Sequence, residues 1–167
     1  IVHNGTIAND RELRTHTLAT SIDSAAIVES LRAQGDLFSW HDTCYAEFRK
    51  TVEKLVGSYA ILATSTERPS EMFVACNYRP VWYIETEEGV YFASCSDYFP
   101  EGTVPQQVPP YSTARFAVQG TTVTKEFHTL YPSIEGRKPR SLVVASGGLD
   151  STVAAAECLR MGHEVEL

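Results

Sequence analysis

The sequence predicts an α+β domain joined through a short linker to the opening of a parallel α/β domain, and three observations predict it. The first third carries apolar residues at helical spacing, residues 58–127 read as short antiparallel strands, and residues 141–167 read as strand, glycine loop, helix and strand. A chain of 167 residues, 43% of them hydrophobic, has ample material for a core. A formal charge of −7 and a pI near 5.2 argue against indiscriminate binding to nucleic acid or anionic membrane. No apolar run reaches the roughly 20 residues of a membrane span and no signal peptide is visible, so the expected location is cytoplasmic.

Taken in order, Ile1-Val2-His3-Asn4-Gly5 reads as a strand running into a turn, because Asn-Gly readily takes positive φ. Asn9-x-x-Glu12 has the form of a capping box at the start of a short helix. Asp23-Ser24 precedes a helix with Ala26, Ile27, Ser30 and Leu31 on one face, ended by Gly35. A third helix, about 42–56, carries Tyr45, Phe48, Val52 and Leu55 on one stripe and is closed by Gly57. Strands follow at Tyr59–Thr64, Met72–Cys76, Val81–Ile84 and Val90–Ser94, then a hairpin of Arg115–Val118 and Thr122–Phe127 around Gln119-Gly120, the whole forming an antiparallel meander. Residues 128–140 are rich in Pro, Gly and charge and read as a linker. The helix after the glycine loop ends at Gly162, and Val165-Glu166-Leu167 enters the next strand. The expected organisation is therefore 1–127, linker 128–140, and 141–167.

Cys44, Cys76, Cys95 and Cys158 are scattered without metal-ligand spacing and are expected to be reduced, several of them buried; no metal ligands are assigned. The chain opens on Ile1 and stops at Leu167 as a strand begins, so both ends are expected to be cut.

The most informative segment is Ser146-Gly147-Gly148-Leu149-Asp150-Ser151-Thr152, set between an apolar strand and a helix. Gly147 and Gly148 lack Cβ atoms, so backbone N–H groups can approach an anion at the positive pole of the following helix. The Lys-Ser/Thr of the common P-loop and the dinucleotide fingerprint G-x-G-x-x-G are both absent. A bare strand-to-helix turn capped by Asp150 and Ser151 is the simpler reading. The loop resembles the SGGxDS signature of the PP-loop ATP pyrophosphatase family. That resemblance implies ATP with Mg as cofactor, its pyrophosphate held by Ser146–Thr152 while an acceptor oxygen is adenylated.

In the first block His3-Asn4-Gly5, Asp23 at a helix start, Gly57-Ser58-Tyr59-Ala60, Arg79-Pro80 and Val90-Tyr91-Phe92-Ala93-Ser94 follow one another in an order that resembles class II glutamine amidotransferase domains. The resemblance implies a partial αββα Ntn-hydrolase-like sandwich. It gives Asn4 and Gly5 the oxyanion-binding role and Asp23 the grip on the α-ammonium group of glutamine. A plain hairpin turn at Asn4-Gly5 and an ordinary helix cap at Asp23 are the alternatives, and His3 is read as structural. The family uses an N-terminal Cys with a free α-amino group, whereas this chain begins with Ile1. The chain alone is therefore expected to be inactive toward glutamine, the nucleophile coming from upstream or from a partner chain.

An amidotransferase domain ahead of a PP-loop is similar to fusions with the QueC family of 7-cyano-7-deazaguanine synthases. By that likeness the substrates are glutamine or ammonia and a 7-deazaguanine acceptor, with direct nucleic-acid binding and membrane association not expected. QueC proteins also carry a zinc-binding cysteine cluster near their C-terminus, outside these residues, so zinc is implied for the intact protein with no ligands here. An asparagine-synthetase-like amidotransferase and an inactive binding scaffold stand as alternatives.

Overall fold

A computed structural model describes residues 1–14, 20–33, 44–66, 68–130, 140–144, 146–160 and 163–166. The chain divides into two compact units, Ile1–Leu130 and Tyr131–Leu167.

In the first unit β1 (Val2–Ile7) is followed by three helices, α1 (Asp10–Leu13), α2 (Asp23–Ala33) and α3 (Cys44–Val52). Strands β2 (Gly57–Ser65), β3 (Arg68–Cys76), β4 (Trp82–Thr86), β5 (Gly89–Ala93), β6 (Gln106–Gln107), β7 (Ser112–Gln119) and β8 (Thr122–Thr129) complete it, with a 3-10 turn at Ser96–Tyr98. They form two sheets, a five-stranded one ordered β1-β2-β3-β7-β8 and a three-stranded one ordered β5-β4-β6, both antiparallel.

The five-stranded sheet carries a separate apolar core on each face, as strand alternation demands. Ile27, Leu31, Tyr45, Phe48 and Val52 from α2 and α3 pack with Ile7, Tyr59, Ile61 and Ala75 on one side. On the other side Ala60, Val74, Cys76, Ala114 and Phe116 meet Val81, Tyr83 and Val108. Phe116 is the aromatic centre of this second core, with Tyr83 at 4.9 Å, Phe92 at 5.0 Å and Phe127 at 5.9 Å in edge-to-face contact. The described layers are therefore helices, sheet, sheet.

Both amphipathic helices form with the expected stripes buried, Ala26, Ile27, Ser30 and Leu31 in α2 and Tyr45, Phe48 and Val52 in α3, but α3 ends at Val52, short of the expected 56, and Leu55 is buried in the turn after it. Gly35 and residues 41–43 lie outside the described residues. Five further expectations need correction. Asn9 does not cap α1; its Oδ1 accepts Val56 N–H and its Nδ2 donates to Lys54 O, both at 2.9 Å, so the amide ties the start of the chain to the turn before β2. Asn4-Gly5 is not a turn, because β1 runs through it in unbroken register with β2. Gly57 opens β2 instead of closing α3. The strands are not a meander, since β3 skips β4, β5 and β6 to pair with β7. Finally, β8 reaches Thr129, opposite Ser112, and Leu130 N–H donates to Tyr111 O, so residues 128–130 belong to the sheet and not to a linker. Residues 131–139 lie outside the described residues.

In the second unit β9 (Arg140–Leu142) and β10 (Glu164–Glu166) pair in parallel and flank α4 (Leu149–Arg160). The regular strand starts earlier than the apolar run suggested, although Val143 N–H still reaches Glu166 O at 2.8 Å. Gly162 and Leu167 lie outside the described residues.

Candidate functional site

Within the described residues β1 is an edge strand, paired with β2 alone. Ala8 N–H turns inward to Val56 O at 2.7 Å, while Ile7 N–H turns outward to Asp23 Oδ2 at 2.8 Å. The two-residue alternation of an antiparallel ladder then sends Gly5 N–H to the same open edge as Ile7 N–H. Gly5 sits at φ 142°, and a Cβ built on it would lie 1.9 Å from Ser58 O. Gly57 faces it with φ 141°, its own Cβ position 2.1 Å from Thr6 O. β1 and β2 thus approach as closely as they do because both positions lack a side chain.

Asn4 projects to the opposite face from His3 and Ile7. It is exposed, beside a mostly apolar depression lined also by Val2, Ala60, Leu62, Val81, Phe92 and Ser94. A side-chain amide placed there can donate to an oxygen that gains negative charge.

Asp23 stands at the first turn of α2, against the open edge of β1. Its Oδ2 accepts Ile7 N–H and its Oδ1 accepts Ser24 N–H, each at 2.8 Å, and the side chain remains 26% exposed. Each carboxylate oxygen has a second lone pair, so an incoming ammonium can still be bound. His3 Nδ1 lies 2.9 Å from Ser24 Oγ and 3.8 Å from Asp23 Oδ1. Burial pushes the imidazole below its ordinary pKa of 6.5, against the opposing pull of the Asp23 carboxylate. The structure therefore brings Gly5 N–H and Asp23 to one strand edge and sets the Asn4 side chain on the adjoining sheet face. The sequence reading left His3 and Ser24 out of this group; the signal was that His3 shares a parity with Ile7 and Gly5, so all three face the start of α2.

The four cysteines are free thiols, and burial raises that of Cys76 to about 11. Among the described residues no group of three His, Cys, Asp or Glu side chains could hold a metal ion, and no helix is long and apolar enough to cross a membrane.

In the second unit the glycine loop joins Val144 to α4. Gly147 adopts φ 76°, and a Cβ on Gly148 would meet only Ser146 Oγ, at 3.4 Å. Ser151 Oγ and Thr152 Oγ1 both donate to Gly148 O at 3.0 Å, and Thr152 N–H reaches the same carbonyl at 3.3 Å, which fixes the entry to the helix. Ser146, Gly147, Gly148, Leu149 and Asp150 are exposed, with Asp150 in the first turn. An exposed glycine loop with unobstructed backbone has the room and the donors that a phosphate requires.

Residues 1–101 match the glutamine amidotransferase domain family. Over its whole length the chain is 36% identical to the 7-cyano-7-deazaguanine synthase of Saccharolobus solfataricus and 33% identical to 7-cyano-7-deazaguanine synthase 2 of Sulfurisphaera tokodaii, covering 36% and 35% of those proteins. Over 56% of the chain it is 32% identical to the isomerizing glutamine–fructose-6-phosphate aminotransferase of Helicobacter pylori, covering 16% of it. The chain thus spans about a third of the length of the synthases it matches. With the family's domain matched over residues 1–101, and with Gly5 N–H and Asp23 gathered on one open strand edge beside Asn4, the chain belongs to the glutamine amidotransferase domain family.

Proposed function

We propose that the protein is an ATP-dependent, glutamine-using C–N ligase that acts on a 7-deazaguanine bearing a carboxyl or amide group. The observation that carries this reading is the full-length likeness to two synthases of 7-cyano-7-deazaguanine, which runs through the amidotransferase unit and the glycine-loop unit alike. In the amidotransferase unit Asn4 Nδ2 and Gly5 N–H donate to the amide oxygen of glutamine as it becomes an oxyanion, and the Asp23 carboxylate binds the α-ammonium group. The attacking thiol is not assigned within residues 1–167, where Cys44 and Cys76 are buried and no cysteine has a free α-amino group to act as its base. In the second unit Ser146, Gly147, Gly148, Leu149, Asp150, Ser151 and Thr152 hold the phosphates of ATP with Mg. ATP supplies the adenylyl group that converts an acceptor oxygen into part of a leaving group, so that ammonia can form the new C–N bond.

The test is the full-length protein incubated with glutamine, MgATP and a 7-carboxy-7-deazaguanine, with products read by mass spectrometry. Formation of AMP with an amide or nitrile of the deazaguanine is expected. Release of ammonia and AMP only when aspartate replaces the deazaguanine would overturn the choice of acceptor.

A further inference from the structure

The buried imidazole of His3, in β1, is a polar group beside the proposed glutamine site to which that reading gives no task. Its side chain is 3% exposed, yet among the described residues Nε2 has no hydrogen-bond partner. A buried unpartnered nitrogen disfavours folding, and an apolar side chain would fill the same space between β1 and α2 without that cost. The ring's one hydrogen bond runs from Nδ1 to Ser24 Oγ, at 2.9 Å. Ser24 is also the residue whose N–H donates to Asp23 Oδ1, while Ile7, four residues along β1 from His3, donates to Asp23 Oδ2. His3, Ser24, Asp23 and Ile7 therefore form a closed set of contacts that joins one edge of the strand to the first turn of the helix. The ring sits 3.8 Å from the carboxylate, near enough to limit its rotation without bonding it.

We infer that His3 is a positioning residue: through Ser24 it fixes the first turn of α2, and with it the direction in which Asp23 presents its carboxylate to the α-ammonium group of an amino-acid substrate. This inference rests on the proposed role of Asp23. Placement of the ammonium affects binding of glutamine more than the chemistry at its far amide, so loss of His3 should move KM and leave kcat nearly unchanged.

The experiment compares His3→Leu, His3→Asn and Ser24→Ala in the full-length protein. Asn can present a polar atom close to the place of Nδ1; Leu cannot. His3→Leu and Ser24→Ala should each raise the KM for glutamine about five- to tenfold, as expected for loss of one positioning hydrogen bond, with no larger effect when combined. His3→Asn should restore most of the affinity. Because Leu removes the orphaned nitrogen, the melting temperature of His3→Leu should hold or rise. A fall in melting temperature with unchanged KM would mean that His3 only packs, and would overturn the inference. Hydrogen exchange at the Ile7 and Ser24 amides supplies a readout independent of turnover, and should quicken roughly tenfold in His3→Leu and not in His3→Asn. If wild-type protein released no ammonia from glutamine, the proposed function would fall, while unchanged exchange at Ile7 and Ser24 would sink the role of His3 separately.

Discussion

The two units of the chain are held in opposite ways. Ile1–Leu130 has a dry core on each face of its central sheet, with Phe48, Tyr59, Ile61, Val74 and Phe116 essentially inaccessible. Tyr131–Leu167 has a parallel strand pair and a helix in which no residue is buried; Leu142, Val144 and Leu149 are 75%, 87% and 78% exposed. In the first unit, position is enforced by close packing. In the second, the glycine loop keeps its shape by local hydrogen bonds from Ser151 and Thr152 to Gly148 O. The difference teaches that the proposed glutamine site should respond to changes of a single atom, while the glycine loop should respond mainly to changes in its own few residues.

The sharpest test is Phe116→Ala, which removes a ring packed edge-to-face against three others and should cost about 3–5 kcal/mol, measured by urea unfolding. Gly5→Ala should follow, with a loss of about 3 kcal/mol or more and a fall of about 10 °C in melting temperature, because the added carbon has to displace the backbone of Ser58. A mild effect of Gly5→Ala would show that β1 and β2 can separate, which breaks the account of the edge. On the other unit, Gly148→Val places branched carbons against the proposed phosphate position and should weaken ATP binding about tenfold, roughly 1.4 kcal/mol, by isothermal titration, with little change in stability. Unchanged affinity would reduce the loop to a turn.

A smaller effect separates the units by pH. The pKa of His3 is depressed in the folded state, so its unfolded form binds a proton more readily. The stability it contributes is complete above its ordinary value of 6.5 and is lost as pH falls through the lower folded value. The urea midpoint of the first unit should therefore drop between neutral and mildly acid pH, and His3→Asn should flatten that drop. Least of all, Leu149→Ser should change the unfolding free energy by no more than about 0.5 kcal/mol, since the side chain is already in solvent. A large loss there would erase the contrast between the units.

What could be read in the sequence was what depends on nearby residues. The stripes of α2 and α3 name their own buried positions, and Gln119-Gly120 marks the β7–β8 hairpin, where Gly120 takes φ 62°. What could not be read depends on residues far apart in the chain. Asn9 has the local form of a helix cap, yet its amide goes to Lys54 and Val56, which compete for the same donors and acceptors. Gln106–Gln107 has no strand composition and becomes β6 only because Trp82 and Tyr83 offer it a partner. Of the proposed site, the family resemblance supplies Asn4, Gly5 and Asp23. That Gly5 N–H shares an edge with Asp23 while Asn4 takes the other face required the register of β1 on β2.

The pairing of β3 with β7 also governs the order of events in folding. Cys76 faces Ser112 and Glu71 faces Ala117, so the central ladder joins segments separated by the whole of β4, β5 and β6. Closing a loop of that length loses chain entropy before any contact repays it, unless the intervening strands have already drawn its ends together. The hairpin of β4 and β5, bound by local pairs from Trp82↔Ala93 to Thr86↔Gly89, can form first and shorten that search. On that order the small sheet is expected to serve as a kinetic template as well as a packing layer. Substitutions that weaken the β4–β5 turn should slow refolding more than they speed unfolding.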